Sequence, residues 1–222
     1  MSTKNDIVVL HTGPFLVNTL IVSLSEKFAF IVDAGGDASF IADTLKQMGK
    51  EPVAFLCTHG HFDHVLGLPE LKKIFPNIPV LIHADDSIYL GKKSRQESDL
   101  EVFGLNDFIE VAKKLPEIDF ILQDGMFLSS VPYLKDIENT NKWKIIHTPG
   151  HSAGSICLYN ESDSILISGD TLFYGNFGRT DLYGGNDFEM NNSLKKIYEL
   201  PPDTIVFPGH DFTGFSLKSN IL

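Results

Sequence analysis

The chain has 222 residues, 43% of them hydrophobic and 21% charged, an ordinary balance for a soluble globular protein. A chain of this length buries about 70% of its unfolded surface and needs no covalent staple. A formal charge of −11 argues against a general affinity for nucleic acid or anionic lipid. No apolar stretch reaches the length of a membrane span, and residues 1–6 do not lead into the long apolar run of an export signal. The two cysteines, Cys57 and Cys157, lie in apolar runs and read as buried thiols of a reducing compartment. These features predict one domain over 1–222, in the cytoplasm, with no membrane or nucleic-acid partner. Oligomeric state is not legible.

Residues 7–11, 19–24 and 28–33 form short apolar runs separated by Gly13-Pro14 and by Ser25-Glu26-Lys27, and they predict three strands. Ile41, Leu45 and Met48 then share a helical face that Gly49 ends. Residues 52–58 predict a strand, and Pro69 begins a helix carrying Leu71, Ile74 and Phe75. Residues 78–83 read as another strand. From 85 to 141 periodicity is weak: a charged stretch at 92–101, a helix near 107–114 and a short hairpin near Asp124-Gly125 are the expectations. Strands follow at 143–147, 155–159 and 164–168. A helix through Leu194, Ile197 and Tyr198 stops at Pro201-Pro202, before a last strand at 204–207. Strands in two groups with helices among them predict a layered mixed α/β fold.

Three histidines and an aspartate crowd the segment after the fourth strand: His59, His61, Asp63 and His64. Residues two apart on an extended strand end point the same way, so His59 and His61 can address one cation. Asp63 and His64, beyond the bend, can address a second. Imidazole and carboxylate suit zinc, iron or manganese. These four ligands are also compatible with a single metal. His151, Asp170 and His210 each follow a predicted strand; each alone reads equally as a turn or cap residue. Together the seven argue for two metals.

The segments His-Gly-His-Phe-Asp-His at 59–64, Thr-Pro-Gly-His at 148–151, Gly-Asp-Thr-Leu-Phe at 169–173 and Pro-Gly-His at 208–210 occur in the order found in the metallo-β-lactamase superfamily. Within it the chain resembles the glyoxalase II-like hydrolases. The resemblance implies a four-layer αββα sandwich with two divalent ions, zinc foremost and iron or manganese as alternatives. It implies that His59, His61 and His151 hold the first ion, that Asp63, His64 and His210 hold the second, and that Asp170 bridges them. Asp63 is then also catalytic, orienting a hydroxide shared by the metals for attack on a thioester such as a hydroxyacylglutathione.

Arg179 stands where glyoxalase II proteins often carry a glutathione-contacting lysine; it reads as a substrate contact or as an ion pair with Asp181. Phe212, where a tyrosine is common, is a second candidate at the substrate. Asp33 reads either as orienting a metal ligand from behind or as a cap for the following helix. His83 and His147 read as structural and His11 as a turn residue. No counterpart of the helical domain that follows the last ligand in glyoxalase II proteins is expected in the twelve residues after His210, which limits the glutathione analogy. The alternative function is a mononuclear-iron persulfide dioxygenase built on His59, His151 and Asp170. The acidic balance disfavours a nuclease, the lack of an export signal disfavours a secreted β-lactamase, and His61 disfavours a diiron flavoprotein.

Overall fold

The computed structural model describes residues 7–220; residues 1–6, read as a lead into the first strand, lie outside them. The chain opens with β1 (Ile7–Thr12), β2 (Val17–Ser23) and β3 (Phe28–Val32), followed by α1 (Ala38–Met48), β4 (Glu51–Leu56), α2 (Phe62–Val65), α3 (Leu68–Ile74) and β5 (Val80–His83). A 3₁₀ segment (Ala84–Tyr89), α4 (Gln96–Val102), α5 (Ile109–Ala112) and β6 (Phe120–Leu122) come next. The second half contains β7 (Trp143–His147), β8 (Ile156–Asn160), β9 (Ile165–Gly169), the short pair β10 (Leu172–Phe173) and β11 (Asn176–Phe177), α6 (Asp187–Tyr198), β12 (Ile205–Pro208) and β13 (Phe215–Ser216).

One sheet has the order β1-β2-β3-β4-β5-β6, antiparallel through β3 and parallel from β3 to β6. The other has the order β13-β12-β9-β8-β7, with β9 and β12 parallel and the remaining pairs antiparallel. Alternation along the strands sorts the side chains into layers. Leu20, Val22, Phe30, Val32, Ala54 and Leu56 face Trp143, Ile145, Ile156, Leu158 and Ile167 between the sheets. Their neighbours Ile21, Ile31 and Phe55 point the other way, onto Ile41 and Leu45 of α1 and Leu68 and Leu71 of α3. On the far side, Ile146, Cys157 and Leu166 pack against Met190, Leu194 and Ile197 of α6. The result is helix, sheet, sheet, helix, as the family resemblance implies. Trp143 crosses the inter-sheet layer to meet Phe30 edge-to-face at 5.5 Å.

The expected hairpin near Asp124-Gly125 is absent as such. β6 stays in the first sheet, and the chain then crosses to the edge of the second, where the Gly125 and Ile145 amides bond to the Ile145 and Met126 carbonyls. Leu122 and Leu128 both belong to the inter-sheet core, so the turn links the two sheets and does not fold one strand back on another. The charged stretch contains α4. No helix among the described residues is long and apolar enough to cross a membrane.

Candidate metal centre

Four strand ends converge at one edge of the sandwich. β4 delivers His59 to His64, β7 leads to His151, β9 to Asp170, and β12 to His210. Backbone bonds lock these ends together, across the sheets from Ile156 N to Thr58 O and from Asn18 N to Gly209 O, and within the second sheet from Gly209 N to Gly169 O. Between His59 and His61 only glycine fits, because a Cβ at Gly60 would lie 2.3 Å from the Tyr89 ring. His61 is still extended (φ −60°, ψ 146°) as α2 begins, so Asp63 and His64 turn away from His59 and His61.

The donor atoms of His59, His61 and His151 lie within 4.8 Å of one another, and those of Asp63, His64 and His210 form a second such group. Asp170 spans both: Oδ1 is 3.5 Å from His64 Nε2, and Oδ2 is 3.5 Å from His151 Nε2 and 3.7 Å from His210 Nε2. All seven residues singled out in the sequence therefore meet at one place.

The protons on the imidazoles follow from their outer partners. Thr58 Oγ1 donates to Asp33 Oδ2 at 2.6 Å, so it accepts from His59 Nδ1 at 3.1 Å and leaves His59 Nε2 with its lone pair. His64 Nδ1 donates to Asp33 Oδ2 at 3.0 Å, and His151 Nδ1 donates to the Arg179 carbonyl at 2.7 Å. In the neutral rings their Nε2 atoms thus also face inward with a free lone pair. Each of these outer bonds presets a metal-binding tautomer. His59 Nε2 and Asp170 Oδ1 are buried without a hydrogen-bond partner. Neighbouring ring nitrogens stand 2.8 Å apart between His61 and His151 and 3.1 Å apart between His64 and His210. Buried acceptors without a donor, as at His59 Nε2 and Asp170 Oδ1, are costly unless a cation pairs with them. The donor set of five imidazoles and two carboxylates fits two divalent ions.

Electrostatics keep two of the rings neutral. Burial and the surrounding imidazoles push His59 well below the ordinary imidazole range, and burial with His151 lowers His61 to about 3. Burial opposes charge on His64, but Asp170, Asp63 and Asp33 outweigh it and hold that ring well above its usual range. A proton there would compete with a cation for Nε2. Asp170 and Asp63 stay ionised despite burial, because His64 and its neighbours attract their negative charge.

Of the two readings of Asp33, the structure favours orientation. Its carboxylate also accepts from Thr58 N at 2.7 Å, while Asp37 occupies the position before α1. Sequence reasoning missed Asp86. Its buried carboxylate accepts from Gly60 N, Ser152 Oγ and Gly154 N at 2.6–2.8 Å, tying the His59–His61 segment to the loop of His151. Gln96 of α4 adds a bond to Gly60 O at 2.6 Å. Both lie in the stretch without periodicity, and no spacing signal marks them.

With this geometry established, kinship is informative. The metallo-beta-lactamase superfamily profile matches residues 12–210. The chain belongs to this superfamily. It is 34% identical to the probable metallo-hydrolase YqgX of Bacillus subtilis strain 168, over 90% of this chain and 88% of that one. It is 29% identical to the hydroxyacylglutathione hydrolase GloC of Haemophilus influenzae, over 92% and 90%. Two crystal structures are similar. One is the BLEG-1 B3 metallo-beta-lactamase (TM-score 0.79, 30% identity, 96% and 95% covered). The other is TTHA1623 in a di-iron-bound form (TM-score 0.77, 29% identity, 96% of each chain).

In this member of the superfamily the centre floors a cavity of about 790 Å³. α4 and its flanks form one wall through Arg95, Asp99, Val102, Phe103 and Leu105; Arg179, Asp181 and Tyr183 form the other. Arg95 pairs with Asp99 through two nitrogens at 2.8 and 2.6 Å and lies 3.3 Å over the Tyr183 ring. Arg179 pairs with Asp181 at 2.6 and 2.7 Å, as one of its two readings expected, and its side chain also lines the cavity. Phe212 is not among the lining residues. It is 62% exposed, against Tyr174 and Phe215.

Proposed function

We propose that the protein is a dinuclear metal-dependent thioester hydrolase, with a glutathione thioester such as a hydroxyacylglutathione as its substrate and the cytoplasm as its site of action. The observation that carries the reading is the pair of donor triads, His59/His61/His151 and Asp63/His64/His210, with Asp170 between them at the floor of an open cavity. The metal-dependent hydrolase relatives support it, and the burial of two free cysteines fits a reducing compartment.

Bound to the triads, two divalent ions supply a water ionised near neutral pH and positive charge for a substrate carbonyl oxygen. Asp63 lines the cavity from the first turn of α2, and its carboxylate would accept a hydrogen bond from the attacking oxygen and so orient its lone pair. Asp170 and the outer hydrogen bonds of Asp33 and Thr58 keep the imidazoles facing inward. Tyr89, beside the centre, is a poor acid for a leaving group: burial holds its hydroxyl well above the ordinary phenol range, and that hydroxyl donates to the Tyr183 carbonyl. A thiolate, with an ordinary pKa of about 8.5, departs without such help, whereas an amine does not. Arg179 at the cavity wall is the proposed contact for a substrate carboxylate, after exchange of its bond to Asp181.

The complete second triad supports two ions over the single iron of a persulfide dioxygenase. One preparation with its metals quantified, assayed in parallel for S-lactoylglutathione hydrolysis and for oxygen uptake with glutathione persulfide, tests the proposal. Hydrolysis without oxygen uptake is expected. Oxygen uptake without hydrolysis at every metal loading would reject it.

A further inference from the structure

The cavity above the metal centre has two chemically different sides. On the α4 side, Val102 and Phe103 are 78% and 48% exposed, and Leu105, Phe15 and Phe62 continue the same lining. The core does not demand this placement. Gln96 and Leu100 are the residues that α4 buries, and Leu100 alone joins the apolar cluster of α1 and α3. Phe15 meets Phe62 edge-on with ring centroids 5.2 Å apart, and Phe62 stands in the chain between the ligands His61 and Asp63. An apolar surface therefore begins at the metal centre and continues to α4.

The two arginines that line the cavity are both paired. Arg95 is held by Asp99 through two nitrogens and by the face of the Tyr183 ring, so its charge is spent within the wall. Arg179, on the other side, is exposed and has Asp181 as its ionic partner. One side can thus exchange an ion pair for a substrate charge, and the α4 side cannot.

We propose that the acyl half of the thioester is an apolar chain or ring, seated against Phe15, Phe62, Val102, Phe103 and Leu105. This rests on the thioester reading above and narrows its substrate class, with apolar acyl groups preferred to hydroxyacyl groups. The glutathione half carries two carboxylates and an ammonium, which are costly to desolvate against side chains without polar partners. That half faces Arg179, which leaves the α4 side to the acyl group. A lactoyl hydroxyl there would lose its bonds to water and meet only hydrocarbon, whereas each added methylene would gain. Full burial of a methylene is worth roughly fourfold in affinity, and partial burial in an open cleft about twofold.

The zinc-loaded wild type, Val102→Ser and Phe103→Ser are compared on S-lactoyl-, S-butanoyl-, S-hexanoyl- and S-octanoylglutathione. Both side chains are exposed, so the variants keep the fold. In the wild type kcat/KM is expected to rise about twofold per methylene, mainly through KM, and each variant should flatten the series. Calorimetric titration of the metal-free chains with S-butyl-, S-hexyl- and S-octylglutathione reads the same surface without turnover, and the dissociation constant should fall in similar steps. Lactoylglutathione hydrolysed with no gain along the series, or equal slopes in all three chains, would overturn the acyl subsite alone. Alkyl-length-dependent binding without hydrolysis of any thioester would uphold the apolar subsite and reject the thioester reading.

Discussion

Asp33 accepts from Thr58 N, Thr58 Oγ1 and His64 Nδ1, and through Thr58 it also sets the tautomer of His59. Asp33→Ala would leave three buried donors unpaired, at about 1–3 kcal/mol each, and would release two ligands from their orientation. Competition with a chromophoric chelator should show metal affinity reduced by about 10–100-fold; unchanged affinity would mean that the rings are held otherwise. Asp33 was legible as a candidate because it stands at a strand end before two glycines. Asp86 was not, since its partners Gly60, Ser152 and Gly154 are far away in sequence and only the fold brings them to it. The cysteines give a pH prediction. Burial raises Cys57, and it raises Cys157 from 9.0 to about 11, so the unfolded chain loses these protons first as pH climbs. The native state then binds more protons than the unfolded one, and stability falls across that window. Denaturant midpoints should decline between pH 9 and 11, and a thiol reagent should label the cysteines only after unfolding. A flat midpoint would contradict this.

Among the elements, the strands that carry ligands were legible because apolar alternation is dictated by two packed faces, as at Phe30, Ile31 and Val32. The stretch from 85 to 141 was not. Its helices α4 and α5 are too short for a helical period to stand out, and four 3₁₀ segments connect the rest. The hairpin expectation failed there because a turn signal alone does not say which sheet the next residues join. The meeting of β9 and β12 depends on Gly209, where an added Cβ would lie 2.2 Å from Asp170 Oδ1 and 2.8 Å from His64 Cε1. Gly209→Ala should therefore displace two ligands at once. Metal content should fall together with activity, by at least about tenfold on the scale seen when groups supporting ligands are lost. A variant with full metal content would show that the strand end yields without disturbing the site.

Across the whole molecule, each sheet contributes part of the centre: His59 to His64 come from the first, and His151, Asp170 and His210 from the second. Ions bound there select the folded state. At a hundred times its dissociation constant one ion adds about 2.7 kcal/mol. At about 2–4 °C per kcal/mol for a chain of this size, stripping one ion should lower the melting temperature by roughly 5–10 °C. An unchanged melting temperature after chelation would mean that the sandwich does not depend on the centre. The layered fold and all seven converging residues were readable from motif order, whereas the substrate walls were not, because α4 carries no ligand code. The most direct test of the account is to titrate metal-free protein with Zn²⁺ while following S-lactoylglutathione hydrolysis. Turnover should emerge as the second equivalent binds and be reduced by orders of magnitude in Asp63→Ala. Full turnover at one equivalent, or none at any loading, would contradict a dinuclear thioester hydrolase.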